Sequence, residues 1–453
     1  MGLVRISLAA ALAALALVVA GCGGDPQVAG DSSLGATAAS LVPADALAFV
    51  SIDTDQSSDQ RQALQQLTSG LPIRAKVLAK LEALLAKQGL DYTKDVRPAL
   101  GPELDLALLP GTDGHAEPVA LTQPADESKL AALAAKFDSG DEHYTVERIG
   151  DWSVVADSAD VFAAVNAAKS GRSLAETSGY TAAQKALPGD AITRAYADRA
   201  AFAAVPALKQ LAGVVGMSEW VAATVSANGN ALVLHAASPV IGTVSTGAAG
   251  LLGDIPSGAI AAAAFNGSAK LGSALSSLRG GALTSALGVT PATLASLAGG
   301  KGAVYVQANG LLPLAGLELQ PQQPQRAMSA LRAVASAVRA RSGGMVALTV
   351  VRQGSRVYLA DSQAAIAALQ SSGSKLVDDS QFKAATAAAG VPAHTSFLVY
   401  ADVTRLAPIL SVVSGALGGK SGSSSASPTA KTIVAWGSVG GGLTRLGLWV
   451  KVH

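Results

Sequence analysis

The densest group of reactive side chains lies between Asp91 and Glu103, where Asp91, Tyr92, Lys94, Asp95, Arg97 and Glu103 share one polar turn ahead of an apolar run. Carboxylates flanking a lysine could serve as acid and base or hold a hard cation. A solvated turn laced with local ion pairs uses the same residues, and that is the expected state. Other near-matches to catalytic patterns fail on spacing. Gly418-Gly419-Lys420-Ser421 has Ser414 where a phosphate loop needs its first glycine, and a Ser/Gly stretch follows it instead of a helix. Ser372-Gly373-Ser374-Lys375 has a serine–lysine spacing, but no K-T-G partner follows, since Lys431-Thr432 runs on to Ile433. Neither G-x-S-x-G nor H-E-x-x-H occurs, and His115, His143, His235, His394 and His453 are scattered without ligand spacing. The expectation is therefore no catalytic, cofactor-binding or metal site, and a protein that is not an enzyme.

The only cysteine has a clearer chemistry. Arg5 precedes an apolar run from Ile6 to Val19, and small residues lead to Cys22, the pattern of a secretory signal over residues 1–21. Its end, Val19-Ala20-Gly21-Cys22, resembles the lipobox of bacterial lipoproteins, in which the chain is cut before the cysteine and the thiol receives a diacylglycerol. The resemblance implies lipidation at Cys22 and an extracytoplasmic protein, lipid-anchored to the bacterial cell membrane. One acyl chain holds a protein only marginally, whereas two attach it stably. Residues 22–40, rich in Gly, Ser, Ala and Asp, read as a flexible tether. With no second cysteine, core packing must supply the stability.

The 453 residues are 50% hydrophobic but only 14% charged and 4% aromatic. Removing the signal takes Arg5 with it and leaves 32 basic and 32 acidic side chains. A neutral, aromatic-poor chain lacks the basic surface and stacking rings that nucleic acid requires. After the signal no apolar run reaches the roughly 18 residues of a membrane span; Ala259–Phe265 comes nearest, with Asp254 and Pro256 upstream of it.

The elements that position these residues occur twice. Ile149–Ser158 (I-G-D-W-S-V-V-A-D-S) returns as Gln353–Ser362 (Q-G-S-R-V-Y-L-A-D-S), Pro43 as Pro256, Gln123-Pro124 as Gln320-Pro321, and Tyr196-Ala197-Asp198 as Tyr400-Ala401-Asp402. The offsets drift only between 197 and 213 residues, as loop-length changes between repeated units would produce. In the first copy the patterns predict strands at Ala46–Ile52, Leu104–Leu109, Pro118–Thr122, Tyr144–Ile149, Trp152–Ala156, Ala191–Ala197, Trp220–Ala227 and Ala231–Ala237, with Asn228-Gly229 as a hairpin turn. Helices are expected at Ser58–Leu67, Ile73–Lys87 and Asp126–Phe137, and after Ser158 and Asp198. Asp157, Asp361, Asp198 and Asp402, kept in both copies, read as helix caps.

The P-A-D opening strand, the segment formed by Asp91, Tyr92, Lys94, Asp95, Val96, Pro98, Leu100, Gly101, Glu103 and Leu104, and the A-D-S after a hairpin resemble the bacterial domain of unknown function 3352. The resemblance implies an exported envelope protein and brings no activity with it. Together these patterns predict an α+β fold in two duplicated lobes of antiparallel sheet with helices packed on one side. The expected divisions are residues 41–250 and 251–453, with a disordered Gly/Ser loop near 415–429. The expected function is a non-enzymatic binding or scaffolding module of the cell envelope, with a carrier of hydrophobic ligands such as lipids as the alternative. Its partners would be the membrane through Cys22, and envelope proteins or a hydrophobic ligand.

Overall fold

The computed structural model describes residues 34–69, 71, 79–80, 82–83, 85–87, 89–111, 116–138, 143–205, 218–240, 247–267, 297, 300–309, 313–344, 346–416 and 430–452. Cys22, the signal stretch and residues 417–429 lie outside them. Mixed α+β architecture is observed, in two compact units that divide between Pro239 and Val240 rather than near residue 250. Leu34 to Ser40, expected as the end of a tether, belongs to the first unit's body. Ala38 and Ala39 in its 3-10 turn are fully buried, because small side chains let this backbone lie flat against the sheet.

The first unit contains β1 (Ala48–Asp53), β2 (Glu103–Pro110), β3 (Ala116–Thr122), β4 (Thr145–Ile149), β5 (Trp152–Ala156), β6 (Thr193–Asp198), β7 (Trp220–Asn228) and β8 (Ala231–Pro239). They form antiparallel pairs in the order β4-β5-β3-β2-β1-β6-β7-β8. The second unit has β9 (Ala259–Asn266), β10 (Lys301–Gln307), β11 (Leu314–Gln320), β12 (Thr349–Gln353), β13 (Arg356–Ala360), β14 (Thr395–Asp402), β15 (Thr432–Gly440) and β16 (Leu443–Lys451). Its order, β12-β13-β11-β10-β9-β14-β15-β16, runs through the corresponding strands in the same sequence.

Helices cover both faces of each sheet, not one side. In the first unit Leu130 and Leu133 of α2 (Glu127–Ala135) pack on Ile52, Leu104, Leu106 and Val155. On the opposite face Tyr180 of α4 (Ser178–Ala186) stacks edge-on against Phe49 and Tyr196, beside α3 (Ala159–Ser170). The strands carry the reason: β5 is buried at all five positions and β2 at most of them, the near-continuous apolar run of a strand enclosed on two sides. In the second unit Leu331 of α6 (Pro324–Arg341) packs with Leu319 and Val357 on one face. Phe382 of α8 (Ser380–Ala388) meets Tyr400 on the other, beside α7 (Gln363–Gln370).

Of the repeated aspartates at strand ends, Asp157 and Asp361 depart from the expectation. Ser158 and Ser362, one residue further on, cap α3 and α7 through Val161 N and Ala365 N. Asp361 instead accepts from the β11 amide of Ala315 at 2.7 Å. A serine side chain one residue closer to the helix reaches the third amide, which frees the aspartate to fasten a neighbouring strand. Asp198 and Asp402 do accept helix-opening amides, from Ala200 at 2.8 Å and Arg405 at 3.1 Å. Two short helices, α1 (Asp59–Thr68) and α5 (Ala201–Ala204), also belong to the first unit, and α9 (Val403–Ala416) runs into the start of the expected Gly/Ser loop.

Candidate functional site

The polar turn singled out in the sequence is divided by the fold into three places. Asp91 caps the turn Tyr92–Val96 by accepting from Lys94 N at 2.9 Å, and Asp95 accepts from Asp91 N and pairs with Lys129 at 3.8 Å. Asp91 and Lys94 are exposed, so this part is a solvated turn. Tyr92 and Arg97 face an open cleft. Glu103 begins β2 and turns to a buried polar row on the other side of the strand. No group of three or more His, Cys, Asp or Glu with the arrangement of a metal site occurs among the described residues.

The cleft, about 530 Å³, is built by three loops of the first unit: Thr54-Asp55-Gln56, Tyr92 to Pro102, and Gln123-Pro124-Ala125. Hydrogen bonds lock the loops together. Thr54 donates through Oγ1 to Gly101 O at 2.5 Å and through its amide to Pro102 O at 2.9 Å, Thr122 Oγ1 accepts from Gly101 N at 2.9 Å and donates to Glu103 O at 2.8 Å, and Asp126 N reaches Pro98 O at 3.1 Å. Gly101 is required here because a Cβ would overlap the backbone oxygen of Gln123. Gly300 meets the same constraint in the second unit, where a Cβ would stand 2.7 Å from Gln320 O and from Pro321 Cα. That close approach explains why Gly and Gln-Pro recur together in the sequence.

The cleft's charges are Arg97 and Asp55. Among the described residues no carboxylate lies within ion-pair distance of Arg97, and its guanidinium makes no hydrogen bond there. Asp55 Oδ1 accepts from Ser57 N at 2.8 Å and Ser57 Oγ at 2.7 Å, and among the described residues no cation pairs with its carboxylate. Pro98, Leu100, Pro102 and Pro124 supply apolar wall, while Thr93 and Gln123 add hydrogen-bonding groups. A second concavity, a shallow groove of about 480 Å³, lies along Pro43-Ala44-Asp45 and the alanine face of α3. Both are open to solvent.

The buried row crosses the sheet through directly paired residues: Asp105 on β2, Ser51 on β1, Arg194 on β6, Thr224 on β7 and His235 on β8. Asp105 and Ser51 are wholly inaccessible. Ser51 Oγ and both Asp105 oxygens make no hydrogen bond of good geometry. Burial raises the Asp105 carboxyl well above the ordinary aspartate range, the neighbouring Glu103 charge adds to this, and the nearby Ser51 hydroxyl offsets part of it. Burial also raises Glu103, against the lowering effect of the Gly35 amide that it binds. Of the two carboxyls Asp105 is the one that burial raises further, while Glu103 accepts from Gly35 N–H. Asp53, raised by burial, accepts from Ser58 Oγ at the start of α1. Arg194 is held by Gln184 Oε1 and by the carbonyl oxygens of Pro188 at 2.5 Å and Gly189 at 2.9 Å, where α4 ends. Burial lowers the Arg194 and His235 pKa values.

The same positions of the second unit hold Ala303, Ala264, Leu398, Trp436 and Gly447, paired in the same order. Phe382 stands where the first unit has Tyr180, stacked on Tyr400 as Tyr180 is on Tyr196. One frame therefore carries a polar row in one unit and an apolar row in the other. Sequence reasoning missed this row because its members are dispersed over five strands, and only the strand register brings them together. The serine–lysine spacing also dissolves: Lys375 Nζ donates to Asp254 O at 3.2 Å, pinning the second unit's opening segment. His143 is exposed beside Asp138 at 3.3 Å, His394 is exposed, and His115 and His453 lie outside the described residues.

A family model described as "Protein of unknown function (DUF3352)" matches residues 3–140. This supports the resemblance carried by the Asp91–Leu104 segment and spans all three loops of the cleft. No curated protein matches the chain significantly. Among solved structures, crystal form I of TP0453 is similar at 10% identity over 76% of this chain and 100% of that one, with a TM-score of 0.16. Crystal form III of TP0453 gives 9%, 74%, 94% and 0.15. Likeness at this level informs neither fold nor function.

Proposed function

We propose that this is a lipid-anchored cell-envelope protein whose first unit is a non-enzymatic binding module and whose two units arose by internal duplication. The observation that carries the binding reading is the separation of Asp91, Lys94, Asp95 and Glu103 from the cleft, which keeps Tyr92 and Arg97. A preformed cleft that sets Arg97, Tyr92 and Asp55 beside apolar wall supports a reading in which it holds a ligand. The shared strand order, the matching close approaches at Gly101 and Gly300, and the Tyr196 and Tyr400 stacks support duplication. Loss of the buried ionic row from one unit then reads as divergence after copying.

The anchor reading rests on Val19-Ala20-Gly21-Cys22 and on the position of Leu34. From Cys22, a chain of about a dozen residues spans at most ~40 Å, so the body would ride close to the bilayer. Substituting Cys22→Ser should move the protein from the membrane fraction to the soluble one. Unchanged fractionation would remove the lipoprotein assignment. Purification of the lipidated chain from its source membrane, followed by native mass spectrometry, tests the binding reading: a bound molecule or partner is expected.

A further inference from the structure

The geometry points to a short zwitterionic peptide, with both a free ammonium and a free carboxylate, as the ligand of the cleft between Thr54-Asp55-Gln56, Tyr92–Pro102 and Gln123-Pro124. This rests on the binding-module reading and gives its site a ligand class. Arg97 and Asp55 line the same space and are not paired with each other, and among the described residues neither has another charged partner. Opposite charges that leave each other unneutralised across one cleft complement a ligand carrying both signs. A planar guanidinium matches a carboxylate in two parallel hydrogen bonds. Asp55 is held in place through Oδ1 by Ser57, which leaves Oδ2 as an acceptor for an ammonium group.

The remaining lining fits the body of such a ligand. Pro98, Leu100, Pro102 and Pro124 offer rigid apolar walls for small side chains, and Thr93 and Gln123 can pair with peptide groups. A cleft of about 530 Å³ is in the range of small-molecule sites and takes a peptide of about two or three residues. The rigidity of the walls matters as well, because Gly101, Thr54, Thr122 and Asp126 fix all three loops by hydrogen bonds from side-chain hydroxyls and backbone before any ligand arrives. A preorganised site loses little entropy on binding. The second unit's sequence counterpart, Leu287 to Lys301, offers no charge before its terminal lysine, so the site is a property of the first unit.

The test is titration calorimetry of the full-length protein in detergent with four probes: trialanine, N-acetyl-trialanine, trialanine amide and sodium glucuronate. Trialanine is expected to bind one to one, and blocking either end should weaken it at least tenfold. Arg97→Gln should weaken trialanine at least tenfold and leave the amide unaffected. Asp55→Asn, which keeps the Ser57 contact, should weaken trialanine and leave the N-acetyl form unaffected. Arg97→Lys should retain part of the affinity, which separates loss of charge from loss of folding. Absence of trialanine binding, or equal binding by wild type and both charge-removing variants, overturns the proposal. Glucuronate binding that depends on Arg97 without any trialanine binding overturns the peptide class but leaves the binding-module reading intact. That broader reading fails only if the membrane-extracted chain carries no ligand or partner at all.

Discussion

Replacing Asp105 by asparagine should change how the first unit's stability depends on pH. In the folded protein burial holds the Asp105 and Glu103 carboxyls above their ordinary values. An acid whose pKa is raised on folding stabilises the native state fully below its unfolded pKa, near 4, and that contribution is lost as pH rises through the folded value. Within that window each proton that the folded form retains and the unfolded form has released costs about 1.4 kcal/mol per pH unit. Asp126, Glu127 and Asp138, which are exposed and lowered by hydrogen bonds, give the opposite sign. Their effect is complete once pH exceeds the unfolded carboxylate range, so it drops out of a comparison made from pH 5 upward. Asparagine keeps the shape but cannot release a proton. The assay is urea unfolding at pH 5, 6, 7 and 8, followed by the fluorescence of Trp152 and Trp220. Wild type should lose stability relative to Asp105→Asn as pH rises, the two curves diverging at up to about 1.4 kcal/mol per pH unit. Parallel curves, or a wild type that gains on the variant with rising pH, would refute the reading that burial raises the Asp105 carboxyl.

Gly101→Ala should destabilise the first unit by about 1–3 kcal/mol and reduce cleft binding, because the added methyl displaces the Gln123 backbone; urea unfolding and calorimetry measure both effects. Ser158→Ala and Ser362→Ala should each cost about 0.5–2 kcal/mol, while capping by Asp157 would have predicted no loss for Ser158, which thermal unfolding decides. Gly35→Ala places a side chain at φ +82 against Ser51 and Phe49. Hydrogen exchange at Ala39 and Leu41 should then accelerate at least tenfold, whereas unchanged exchange would show that residues 34–40 do not depend on the Gly35 contact.

Much of the frame could be read from pattern. Alternation in β6 and β7, the Gly and Gln-Pro pairing, and the Tyr-Ala-Asp repeat mark positions where register and close approach restrict the residue type. The Asn228-Gly229 signal found its hairpin, although Asn228 pairs with Ala231 and the turn itself is Gly229-Asn230. What escaped depends on long-range register and on cover. Glu103 and Asp105 sit on alternate positions of β2, which by alternation alone read as a solvent-facing edge. In the structure Leu34–Ser40 and α4 close over that face, and Arg194 arrives from a strand about 90 residues further along the chain. The composition of residues 22–40 suggested a free tether for a related reason: small residues are equally suited to flexible chain and to backbone packed flat, and only the Gly35 contacts to Glu103 and Tyr180 distinguish them. The six polar residues fall within one short stretch of sequence, but β2 begins at Glu103 and so carries the last of them to a different face from Arg97.

The most direct measurement is the native mass spectrum of the full-length chain extracted from its source membrane, wild type beside Arg97→Gln. The prediction is a chain beginning at Cys22 with its lipid attached in both proteins, and a small noncovalent adduct in the wild type that the variant lacks. An unlipidated chain would contradict the anchor, and equal adducts, or none in either protein, would contradict the cleft as the working part.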